Sequence, residues 1–208
     1  MSKAKHKRDN STLQDKVALR RLVRSWFNHR PLVVLETNGG KGVVYRKVYT
    51  DCTGVVFESS ARKAELLAIQ RPNWAVYEGD AVQCMLAGAP VHIQPDLVDI
   101  DPYGSALEYI RAFFTSPRSF PPQLALAVND GAPYALQAFG PGNLRLVQPY
   151  AARYGWTNLF WHYESIIRDW LPREAARAGY QVVELVYRAV GSNNRMAHYA
   201  ALLKRTGG

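Results

Sequence analysis

From residue 32 to residue 204 the chain alternates apolar runs of strand length with segments of helical spacing, then closes on two strand-like runs in succession. Residues 32–36, 54–58, 74–78, 97–101 and 123–128 are the strand-length runs. Residues 42–50, 61–70, 81–86 and 106–115 read as the helices between them. A longer helical region at 157–178 precedes strands at 181–190 and 196–204, which are joined by the hairpin-length turn Gly191-Ser192-Asn193-Asn194-Arg195. Parallel neighbours need crossovers, and the intervening helices supply them. The pattern predicts an α/β fold: a mostly parallel seven-stranded sheet, a C-terminal antiparallel hairpin, and helices on both faces. The Gly/Pro-rich stretch 131–142 is expected to be a long loop of the kind that closes over a site.

Ahead of the first strand, Leu13, Val17, Leu22, Val23, Trp26 and Phe27 recur at helical spacing with arginines between them, and Pro31 ends that segment. The chain therefore divides into a basic N-terminal arm and helix, 1–30, and an α/β domain, 31–208, that can bury a real core. The net charge of +9 is concentrated in the first part: residues 1–30 hold nine Lys/Arg and two Asp. Such a cluster is either a solubilising surface or a phosphate-binding arm that gains affinity by counterion release. On the second reading Lys3, Lys5, Lys7, Arg8, Arg20, Arg21 and Arg24 contact nucleic acid, with Arg195 of the hairpin turn as a further candidate. No membrane span or apolar signal segment is evident, and Cys52, Cys84 and the scattered histidines show no metal spacing. No metal is expected. Reduced thiols and a cytoplasmic location are.

Ligands of open parallel sheets sit beyond the carboxyl ends of the strands, so the residues there carry the chemistry. After the first strand stands Glu36-Thr37-Asn38-Gly39-Gly40-Lys41-Gly42. In it Glu36, Asn38, Gly40 and Gly42 fit an acidic residue followed by a turn that lets a bulky ligand approach the backbone. Glu58 ends the second strand, where an acid can chelate two ribose hydroxyls. Asp80 follows the third, where a carboxylate can reach an adenine amino group. Both acids also precede helices, and Asp80 in particular fits an N-cap.

After the fourth strand comes Asp101-Pro102-Tyr103-Gly104. These are good β-turn residues. They also suit a flat heterocycle: Asp101 and the Pro102 carbonyl accept the two N–H bonds of an amino group, while Tyr103 stacks on the ring. Trp156, Phe160, Tyr163, Ile167 and Leu171 are read as a helical core stripe rather than a stacking platform.

With these strand ends in place, residues 30–205 resemble the class I S-adenosylmethionine-dependent methyltransferases, whose Rossmann-like sheet ends in such a hairpin. The resemblance implies S-adenosylmethionine as cofactor, its methionine part cradled by Glu36 and the glycines, its ribose by Glu58 and its adenine by Asp80. Asp101-Pro102-Tyr103 resembles the Asp/Asn-Pro-Pro-Tyr motif of enzymes that methylate base amino groups. The longer string Asp99-Ile100-Asp101-Pro102-Tyr103-Gly104-Ser105 is similar to the tRNA dimethylguanosine methyltransferases, although Ala106 replaces their next proline. Asp99, heading that string, joins the expected cofactor ligands.

The expected activity is methylation of an exocyclic base amino group, with RNA ahead of DNA. Two rivals remain: methylation of a protein amide or small molecule, and a non-catalytic nucleic-acid-binding protein of the same fold.

Overall fold

The computed structural model describes residues 12–142 and 144–207. Lys3, Lys5, Lys7 and Arg8 lie outside them. Helix α1 (Leu13–Ser25) leads into β1 (Val33–Glu36), the short α2 (Tyr45–Val48), β2 (Thr53–Glu58), α3 (Ala61–Gln70), β3 (Trp74–Glu78) and α4 (Ala81–Leu86). Next come β4 (Leu97–Ile100), α5 (Leu107–Thr115), β5 (Gln123–Asp130) and α6 (Ala132–Phe139). The chain closes with α7 (Ala151–Tyr154), α8 (Tyr163–Arg177), β6 (Tyr180–Val190) and β7 (Met196–Arg205).

The seven strands form one sheet in the order β3-β2-β1-β4-β5-β7-β6. Strands β1 to β5 pair in parallel; β7 runs antiparallel to both β5 and β6. The expected mostly parallel sheet with a C-terminal hairpin is what forms. All four residues of β4 and seven of the eight in β5 are buried, as expected for strands covered on both faces. The period of two sorts their side chains into two cores. Leu35, Val55, Phe57, Val98 and Ile100 pack with α5 and α8, whereas Val34, Val56, Leu97 and Ala125 pack with α1, α2 and α3.

Two local expectations change. The 131–142 stretch is not a long loop, because Ala132–Phe139 is helical. Its Gly and Pro residues are helix punctuation: Gly131 is the N-cap, Pro133 sits in the first turn and Gly140 takes positive φ at the C-cap. The helix expected from 157 begins at Tyr163 instead, after a 3-10 turn at Trp156–Asn158. Tyr163, Ile167 and Leu171 are core residues as expected, but Trp156 is 57% exposed because it precedes the helix and falls off its stripe.

Strand order reverses between β1 and β4. The crevice beyond their carboxyl ends is where this topology leaves room for a ligand.

Candidate active site

A cavity of about 560 Å³ opens at that crevice. One half is walled by Glu36, Asn38, Gly39 and Gly40 after β1 and by Glu58 to Ser60 after β2. The other half holds Asp101, Pro102 and Tyr103 after β4, Gly131 and Tyr134 at the start of α6, Lys16 of α1, and Arg195 and Met196 from the hairpin.

The first half is built by the glycine turn. Gly40 has φ of +55°, and a Cβ there would meet nothing within 4 Å, so this backbone faces open space. Behind it, a Cβ on Gly39 would lie 2.5 Å from Leu67 and Val56, which keeps the turn seated on β2 and α3. The Glu58 carboxylate accepts from Gly40 N at 2.8 Å and Ser60 N at 3.0 Å, tying the two strand ends together. Glu36 pairs with Arg71, a fully buried guanidinium that stacks over Tyr45 at 4.4 Å and Trp74 at 4.9 Å. Burial pushes the Glu36 carboxyl above its ordinary value, although Arg71 opposes the rise.

The second half is built around three buried or half-buried acids. Asp101 accepts from Lys16 Nζ at 2.7 Å through each of its oxygens. Burial raises the Asp101 carboxyl, but Lys16 and then Arg20 outweigh it, and the group lies below its ordinary value. Asp99 is gripped by the Arg20 guanidinium and accepts from the Tyr49 hydroxyl at 2.7 Å. Asp130, fully buried at the end of β5, accepts four hydrogen bonds: from Ala106 N at 3.1 Å, Ala132 N at 2.9 Å, Tyr163 OH at 2.6 Å and Tyr199 OH at 3.2 Å. With Gly131 N donating to Gly104 O at 2.9 Å, these bonds pin the 101–106 loop against α6. Tyr103 projects from that loop with 85% of its surface exposed.

The cavity therefore brings together Glu36, Asn38, Gly40, Glu58, Asp101, Pro102, Tyr103 and Arg195, all expected from the sequence. Other expected site residues stand elsewhere. Asp80 is the N-cap of α4, accepting from Gln83 N at 2.9 Å, and does not line the cavity. Gly42 and Asp99 do not line it either. Arg20 is 0% exposed, with Asn129 Oδ1 as a further acceptor at 3.0 Å, so it cannot meet a phosphate. Arg24 is half-buried and forked onto Asp51, while Arg21 is exposed.

Lys16, Arg71, Tyr134 and the anchoring function of Asp130 were not foreseen. One signal was present: Lys16 and Arg20 are spaced i, i+4 on a helix, while Asp99 and Asp101 are spaced i, i+2 at a strand end. Each spacing puts its pair on one face.

Among the described residues, no group of His, Cys, Asp and Glu could hold a metal ion, and no helix is long and apolar enough to cross a membrane. No protein-family model matches the chain, and no curated protein matches it significantly. Solved structures do match it. M. jannaschii TYW2 in complex with AdoMet aligns with a TM-score of 0.60 and 10% identity over 98% of this chain and 80% of that one. The N-methyltransferase NodS from Bradyrhizobium japonicum WM9, in complex with S-adenosyl-L-homocysteine, aligns at 0.56 and 13% over 96% and 90%. The plantazolicin methyltransferase BamL, in complex with a triazolic desmethylPZN analog and SAH, aligns at 0.55 and 13% over 96% and 87%.

The fold is that of the class I methyltransferases. Of the three, one is named an N-methyltransferase and one a plantazolicin methyltransferase, so the shared fold assigns no substrate to this chain.

Proposed function

We propose that the protein is an S-adenosylmethionine-dependent methyltransferase acting on an exocyclic amino group of a nucleic-acid base, RNA ahead of DNA. The observation that carries this reading is the sharing of one cavity by the Glu36–Glu58 wall and the Asp101-Pro102-Tyr103 loop. The residues present fit the cofactor. The open, positive-φ backbone at Gly40 leaves room for it, and Glu36 and Glu58, which line the same cavity, are assigned its ammonium and ribose hydroxyls. Bound there, S-adenosylmethionine supplies an electrophilic methyl group.

The chain supplies orientation. Asp101 and the Pro102 carbonyl accept the two N–H bonds of the acceptor amine, turning its lone pair toward the methyl carbon. Tyr103 stacks on the ring and fixes its plane. Such alignment removes about 7–11 kcal/mol from a bimolecular barrier. Once the amine had taken that methyl group, Asp101 would take the proton the nitrogen must lose and pass it to water. A base in a duplex must be flipped out to reach this loop. Arg195, which lines the acceptor half and donates to Gln137 Oε1 at 2.9 Å, is assigned the flipped nucleotide's phosphate. Lys3, Lys5, Lys7, Arg8 and Arg21 are assigned further phosphate contacts.

The test is incubation with labelled S-adenosylmethionine and separate pools of tRNA, rRNA, DNA and protein, followed by digestion of the labelled pool. Label in an N-methylated amino nucleoside is expected. Label confined to protein would sink the reading and favour an amide acceptor.

A further inference from the structure

Lys16 is the cavity residue of α1 whose charge sits directly on the acceptor loop. Its ammonium lies 2.7 Å from both oxygens of Asp101, and both side chains are largely but not wholly buried. The helix that carries it is held firmly in place. One turn further along, Arg20 is locked to Asp99 and Asn129, and Thr12 meets His198 across 3.3 Å. Lys16 is thus part of the cavity wall rather than of a detachable arm.

Two consequences follow from elementary chemistry. First, the pair is neutral as a unit, so the acceptor half offers no net negative charge to a cationic amine such as a lysine side chain. Second, an ammonium has three donors, and Asp101 takes two of them. The third is left over, next to a carboxylate that Asn129 also stabilises and that has more lone pairs than these contacts use. The wall therefore presents a hydrogen-bond acceptor and a donor side by side.

We infer that Lys16 and Asp101 together read the amidine-like edge of a base, Asp101 accepting from the amino group to be methylated and Lys16 donating to the neighbouring ring nitrogen. This inference rests on the base-methylation reading above and narrows it. Adenine offers its 6-amino group beside ring nitrogen 1, and cytosine its 4-amino group beside ring nitrogen 3. Guanine fits only by its 2-amino group and ring nitrogen 3, because its other neighbouring ring nitrogen carries a hydrogen and would point a donor at Lys16. Lys16 is then a specificity-determining residue, and a base lacking the ring nitrogen leaves it without its acceptor. A site built to hydrogen-bond a group discriminates strongly against the analogue that lacks it.

The experiment uses the full chain, S-adenosylmethionine, and oligoribonucleotides with random flanks around one isotopically marked nucleoside. That nucleoside is adenosine, cytidine or guanosine, or its counterpart 1-deazaadenosine, 3-deazacytidine or 3-deazaguanosine. Removing the ring nitrogen also changes the nucleophilicity of the amine, so the quantity to compare is the natural-to-deaza ratio of kcat/KM in each enzyme. For whichever base is methylated, that ratio should fall at least tenfold from wild type to Lys16→Met, and Lys16→Arg should restore most of it. Lys16→Arg also controls for folding, since it keeps the ion pair. A ratio that changes less than twofold in Lys16→Met overturns the inference while leaving base methylation standing. Methylation of none of the three natural bases removes the base reading itself, and the inference with it.

Discussion

Removing the Arg20 guanidinium should unfold the protein far more readily than removing an exposed cation. Arg20 is fully buried and forks onto Asp99, which is itself nearly inaccessible. In Arg20→Met the aliphatic stem is kept, but Asp99 is left as a buried carboxylate with only Tyr49 still donating to it. Breaking a buried pair from one side costs about 3–5 kcal/mol, because the remaining charge keeps its desolvation penalty without compensation. For a chain of this size each kcal/mol moves Tm by about 2–4 °C, so differential scanning calorimetry should show a drop of about 10 °C. Arg20→Met/Asp99→Asn should recover most of that loss, since replacing both charges removes the orphaned ion. Arg21→Met, on an exposed position of the same helix, should leave Tm within about 1 °C. A Tm for Arg20→Met within about 2 °C of wild type would refute the reasoning. So would an Asp99→Asn variant that keeps its stability and loses S-adenosylmethionine affinity, which would return Asp99 to the cofactor site.

Further outcomes follow from the cavity. Glu58→Ala should weaken S-adenosylmethionine binding at least tenfold by calorimetry, about 1.4 kcal/mol, through loss of the ribose acceptor and of the tie to Gly40 N; unchanged affinity in a folded variant rejects that assignment. Asp130→Ala strips an acceptor from two amides and two hydroxyls and should cost at least about 4 kcal/mol in denaturant unfolding, with Asp130→Asn milder because one oxygen still serves the amides. In the pH–rate profile, Lys16 and Arg20 hold Asp101 ionised to lower pH than an ordinary carboxylate, so the acid limb of wild type should fall below that range. Lys16→Met lets the Asp101 pKa rise and should move that limb to higher pH; a limb that stays put or moves lower contradicts the assignment.

The architecture was legible because a parallel sheet buried on both faces leaves a plain signature: short, almost unbroken apolar runs such as 97–100 and 124–128. The ends of those runs then named Glu36, Asn38, Gly40, Glu58, Asp101, Pro102 and Tyr103 of the cavity. Other features depended on context that spacing does not carry. Asp80 fits a cap and a ligand equally well on paper, and the geometry shows it capping α4. Gly131, Pro133 and Gly140 look alike whether they punctuate a helix or break one, and here they bound α6. The cations of α1 were the largest misreading. Charge density alone favours an exposed arm, but Arg20 and Lys16 find Asp99 and Asp101 across the sheet, contacts separated by 79 and 85 residues. Long-range electrostatic pairing of this kind is invisible to local pattern.

The central claim is that one end of the cavity holds the cofactor while Asp101 handles the acceptor. Its most direct test is to measure, for wild type and Asp101→Ala side by side, S-adenosylmethionine affinity by calorimetry and single-turnover methyl transfer to the labelled pool at saturating cofactor. Affinity within about threefold of wild type with transfer reduced at least about 100-fold is expected, as for loss of a positioned polar group in a closed site. Near-normal transfer, or affinity and transfer lost together in a folded variant, would contradict it.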